Sequence, residues 1–169
     1  MARRTFSAPN WTPTATADTT GLANGTYMAV QGGTTTQNLL IQEVFISGLS
    51  GSSAPALMQL ARDSTVMATP TALASPNTDG PNNPATAALA APPVSAISAG
   101  TSPQRAATTT LVKMNFSLNG FGGLIRWLAD KGEEFGVLGN AASLGEASLS
   151  AFTGFTTGPI SANLTYEPF

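Results

Sequence analysis

In the run TLVKMNFSL, Val112, Met114, Phe116 and Leu118 alternate with Leu111, Lys113, Asn115 and Ser117. Successive side chains of a strand point to opposite faces, so this period of two writes a half-buried strand. ISANLTY repeats the pattern, with Ile160, Ala162, Leu164 and Tyr166 inward against Ser161, Asn163 and Thr165. NLLIQEVFISG (38–48) places Leu40, Val44 and Ile46 on one side, and APALMQLARDS (54–64) sets Met58 with Leu60. TYMAVQ (26–31), GLIRWLA (123–129), EFGVLG (134–139) and GEASLSAFTG (145–154) bring the expected strands to about eight. The separators are rich in Gly, Pro, Asn and Ser, which supply turn geometry. AATTTLVKM is the best helical candidate, and its three successive threonines oppose a helix. The expected class is therefore all-β: an antiparallel β-sandwich, jelly-roll-like, although strand count does not separate a jelly roll from an immunoglobulin-like topology.

Two regions fall outside the strand rhythm. Residues 1–25 read as an extended N-terminal arm, and residues 69–107 as one long Pro/Ala-rich loop inserted in a single domain spanning 26–169. A loop of this length inside a compact domain is usually functional or disordered. Leu73, Leu89, Val94 and Ile97 punctuate it, whereas a free linker carries few apolar anchors. With Arg3, Arg4 and Trp11 of the arm, these residues are the candidate partner contacts.

Charge is scarce. Lys, Arg, Asp and Glu make up 9% of the chain, against roughly 25% in an ordinary soluble domain. Hydrophobic residues are 42%, enough for a core. The missing charge has been replaced largely by Thr, Ser, Ala, Gly, Pro and Asn. A neutral surface of this kind suits either burial against other chains or a monomer with a hydroxyl-rich face. The net charge of −2 argues against direct nucleic-acid binding, which calls for a basic patch. No run of about 18 apolar residues exists to cross a membrane as a helix. MARRTFSAPNW lacks the apolar core of a secretory signal, so none is expected.

The residues for common chemistries are thin on the ground. Cysteine and histidine are both absent, which removes disulfides, thiol nucleophiles, the usual zinc ligands and the commonest general base. ADKGEEFG gathers Asp130, Lys131, Glu133 and Glu134 around Gly132 between two expected strands, as a solvated hairpin turn does. Ser64 follows Arg62 and Asp63 but has no adjacent base, and Arg62 and Asp63 read as strand-ending residues that bond locally or pair with a neighbouring chain. NTDGPNN (77–83) offers oxygens but not the acidic set of a calcium loop. GFGG (120–123) lacks the lysine and the strand-to-helix context of a phosphate loop, and reads as a bend. Trp11, Phe116, Phe121, Trp127, Phe135, Phe152 and Phe155 read as core in preference to a sugar platform. No catalytic residues, cofactor or metal are expected, and the chain does not read as an enzyme.

IRWLADKGEEFGVLGNAASLGEASLSAFTG and NLTYEPF, with EVFISGLSGSSAPALMQLARDSTV upstream, resemble the capsid decoration (cement) proteins of tailed bacteriophages. The resemblance covers about residues 42–68 and 111–169 and carries no site residues with it. It implies a β-sandwich or jelly-roll body on the exterior of the capsid, made in the bacterial host cytoplasm. Its partner would be the major capsid protein, whose subunits many copies bridge against the pressure of packaged DNA. The chain would itself be a homo-oligomer, with a trimer among the arrangements allowed.

Two other classes share parts of this composition. A glycan- or receptor-binding module of a phage fibre or adhesin would also be neutral and β-rich, with exposed aromatics in a groove. A glycan-degrading enzyme would need two carboxylates about 5–9.5 Å apart in a cleft, which so few acids disfavour. A main shell protein is a further role, for which the resemblance makes the chain short.

Overall fold

The computed structural model describes residues 5–10, 23–31, 38–62, 96–97, 112–139, 145–152 and 160–168. These residues hold ten strands and no helix: β1 (Phe6–Asn10), β2 (Ala23–Gln31), β3 (Leu39–Leu49), β4 (Pro55–Arg62), β5 (Ala96–Ile97), β6 (Val112–Asn119), β7 (Phe121–Leu128), β8 (Phe135–Val137), β9 (Glu146–Phe152) and β10 (Ile160–Pro168). All pairings are antiparallel and fall into two sheets. The first runs β1-β10-β3-β7, with β8 also on β3; the second runs β5-β2-β9-β4-β6.

The core lies where the alternation predicts. Ile160, Ala162, Leu164 and Tyr166 of β10, Met58 and Leu60 of β4, and Met28 and Val30 of β2 are all buried in one apolar cluster contributed by both sheets. Met114 and Phe116 of β6 pack against it, while Asn115 and Ser117 face solvent. Each fully buried Leu, Ile or Met contributes about 1.5–3 kcal/mol, so this interleaved row is the main stabilising term.

In β3 the expected inward set was Leu40, Val44 and Ile46, and the structure corrects it. Leu39 and Ile41 point into the core with Val44 and Ile46, while Leu40 is only half-buried. Glu43 pairs with Thr165 but Ile41 pairs with Tyr166, so Gln42 is an extra residue on β3. A β-bulge of this kind moves every later side chain to the opposite face.

Residues 1–25 were expected as an arm. Their described part is strand: Phe6 stacks on Tyr166 with ring centroids 5.8 Å apart, and β2 begins at Ala23. Of the 69–107 loop, Ala96 and Ile97 pair with Val30 and Ala29 of β2; its other residues lie outside the described set.

The sheets differ in their second faces. In the second sheet Ala29, Gln59, Ala61 and Ser148 point away from the core cluster and are nonetheless buried. In the first sheet the outer face is open: Ser7, Ser47, Ser161, Asn163 and Thr165 are half-buried, and β7 is more exposed still.

A candidate interaction surface on the first sheet

Two crossings between the sheets meet at one corner and fix where β7 lies. The chain passes from β3 to β4 through residues 50–54, and from β6 to β7 through Gly120 alone. Ser50 N donates to Gly120 O, and Gly120 N to Ala54 O, each at 2.8 Å. Asn119 completes the corner: its Oδ1 accepts from Ala54 N and Phe121 N at 3.0 Å, and its Nδ2 donates to Ser53 Oγ at 3.1 Å. Gly122 has φ +68°, a conformation that side chains rarely adopt. The GFGG run is thus a bend from one sheet to the other, as its sequence suggests.

Beyond the corner β7 lies alongside β3, with Leu124 opposite Ser47, Arg126 opposite Phe45 and Leu128 opposite Glu43. Ile125 and Trp127 pack towards the core. Leu124 and Leu128 do the opposite, at 63% and 62% exposed, with Phe121 at 58%. Leu49 and Leu138 are exposed large apolar residues as well. Arg126 stands between the two exposed leucines, its Nε donating to Glu43 Oε1 at 2.6 Å. A cluster of exposed large side chains on a sheet edge marks an interaction surface more often than scattered single residues do.

At the opposite end of β3 the acidic cluster takes the form of a turn, though not of a hairpin. β7 pairs with β3 at Glu43 and β8 pairs with it at Ile41, so the two share one lane and run the same way. Residues 129–134 bulge out between them, held by Glu133 N to Asp130 O at 2.9 Å and Gly132 N to Glu134 Oε2 at 2.8 Å. Asp130, Lys131 and Glu133 are exposed. Arg62 ends β4, as expected, and ties the sheets together. Its Nε donates to Gly136 O at 2.6 Å, and its guanidinium lies 4.6 Å from the Phe135 ring centroid. Burial pushes the Arg62 pKa below its ordinary value. Among the described residues no group of three acidic, histidine or cysteine side chains could hold a metal ion, and no helix is long and apolar enough to cross a membrane.

Of the candidate contacts read from the sequence, Arg3, Arg4, Trp11, Leu73, Leu89 and Val94 lie outside the described residues, as do Asp63, Ser64, residues 77–83 and Phe155. Ile97 is placed on β5 at the β2 edge. Phe135 is core, and Phe116 and Trp127 pack against it. Phe121, expected in the core, is displaced to the surface by the corner. Sequence reasoning missed the β7 surface because GLIRWLA is apolar at both parities, so alternation does not reveal an outer face. Apolar residues at both parities are themselves the signal: such a strand is covered on both sides or presents an apolar face. No family model, curated protein or solved structure matches this chain.

Proposed function

We propose that this chain is a structural virion protein, a capsid decoration protein that bridges major capsid protein subunits on the outer shell of a tailed phage head. The observation that carries the proposal is the strand order. Pairings β1–β10, β2–β9, β3–β7 and β4–β6 are the four rungs of one long antiparallel ribbon. Pairings β10–β3 and β9–β4 join the ribbon to itself. A ribbon wrapped this way, with sheets β1-β10-β3-β7 and β2-β9-β4-β6, supports a jelly roll, an architecture shared by viral capsid and lectin domains.

Architecture alone does not assign a role, and the surface supplies the second support. The open face of the first sheet carries Ser, Asn and Thr beside exposed leucines. Covering it avoids the desolvation of many charges, a cost that can cancel the gain of association. Contacts to several shell subunits at once would add effective concentration to modest individual affinities. The fibre or adhesin alternative shares the fold, and localisation on the particle separates it from the head-bound role.

The mechanism is mechanical, so its test is too. Heads assembled without the chain should rupture at a milder osmotic shock or lower temperature than complete heads, and adding back purified chain should restore resistance. The restoration should change little between 0.1 and 0.5 M salt (about 10 to 4 Å of screening length), because few charges take part. Heads equally robust with and without the chain would rule out the cement role.

A further inference from the structure

We infer that β7 is a self-association edge, at which a second copy of this chain pairs antiparallel about a two-fold axis through Arg126. This goes beyond the proposed virion role and does not depend on it.

The four sheet edges are not alike. β1 is five residues long and contains Pro9, β5 is two residues long, and β6 contains Lys113 and exposes Asn115, Ser117 and Asn119. Short length, proline, charged side chains (lysine above all) and polar faces are among the devices by which edge strands avoid pairing with other chains. Over Leu124–Leu128 β7 has no proline, no lysine and no polar row; its one charge, Arg126, is already paired with Glu43, and among the described residues the strand pairs on one side only, with β3.

The occupant follows from the pattern of the strand. Leu124-Ile125-Arg126-Trp127-Leu128 reads apolar, apolar, Arg, apolar, apolar, and so is symmetric about Arg126. Antiparallel pairing about that residue sets Leu124 opposite the second copy's Leu128, and Ile125 opposite its Trp127. Opposed residues share a face, so the exposed leucines meet on one side while Ile125 and Trp127 continue the core side. Arg126 meets its own counterpart, but each already donates to its own Glu43 at 2.6 Å. The axis therefore brings together two ion pairs instead of two bare cations. A second copy of β7 supplies this matched pattern from the chain itself.

The chain has no cysteine, which makes the register directly testable. Opposed residues lie about 4.5–5.5 Å apart at Cα, within disulfide reach, whereas positions 124 and 128 of one strand lie roughly 13 Å apart and out of it. Under mild oxidation the full chain carrying Leu124→Cys and Leu128→Cys should become a covalent dimer, and Leu124→Cys alone should not. In parallel, sedimentation equilibrium should give a dimer for the parent. Leu124→Lys with Leu128→Lys should raise its dissociation constant at least about a hundredfold. Both leucines face solvent, so circular dichroism and melting should show the lysine variant folded. A parent that stays monomeric at all concentrations, a lysine variant that dimerises equally well, or cross-linking as efficient through Leu124→Cys alone would each overturn the assignment.

Discussion

Gly48 sits where the two sheet crossings touch, and no other residue fits there. A Cβ added to it would fall on the Gly120 carbonyl and within 2.7 Å of Asn119 O, both backbone groups that cannot swing away. Gly48→Ala should therefore cost about 3 kcal/mol or more, lowering the melting temperature by roughly 6–12 °C in a chain of this length. Asn119→Ala should cost less, about 1 kcal/mol, since the two backbone N–H groups it serves can turn to water. Arg62 is the other residue joining the sheets. Arg62→Ala removes a donor from Gly136 O and a cation from the Phe135 face, and thermal melts should place the loss at about 1–3 kcal/mol. A melting temperature unchanged by Gly48→Ala would mean that the corner is not packed as described. These residues are faint in the sequence. Glycine and asparagine mark a bend wherever they occur, and nothing local says that two bends will meet.

At the scale of elements, a period of two was enough to place β6 and β10 with their inward faces, because each has one clean apolar row, and to set Met58 with Leu60 in β4. It failed at β3 for a definite reason. Gln42 is inserted opposite a strand more than a hundred residues away, and a bulge is a property of the pair. Its side chain is held outward by a hydrogen bond from Nε2 to Glu167 Oε2 at 2.8 Å. Deleting Gln42 should force Leu39 and Ile41 out of the core or shear β3 against β10. Either way the loss should exceed that of Leu164→Ala, for which truncation of a fully buried leucine predicts about 2–5 kcal/mol. Comparing denaturant midpoints of the two variants checks the order. β7 was found as a strand but not as a surface, since its sequence is apolar at both parities and the outward pair is sorted from the inward pair only by the packing of β3. β1 and β5 were not found at all: each is short, and among the described residues each is held by a single neighbouring strand, β10 and β2 respectively.

At the scale of the molecule, long strands consecutive in sequence sit in opposite sheets except at the β4 to β6 connection. Composition and alternation were enough to predict an all-β, two-sheet body. Strand order was not legible, because the pairings join residues up to 160 positions apart, Phe6 with Tyr166 among them. Removing residues 69–107 takes away only two described strand residues, at an edge of the second sheet. The shortened chain should keep the near-ultraviolet spectrum and cooperative melt of the parent, while attaching to heads more weakly. Equal attachment would free that segment of its proposed role. The central claim is location, and antibody labelling of intact particles produced from the genome that encodes the chain tests it most directly. Label distributed over the outer surface of the head, in many copies per particle, is the predicted result; label confined to fibre tips, or none on the particle, would contradict it.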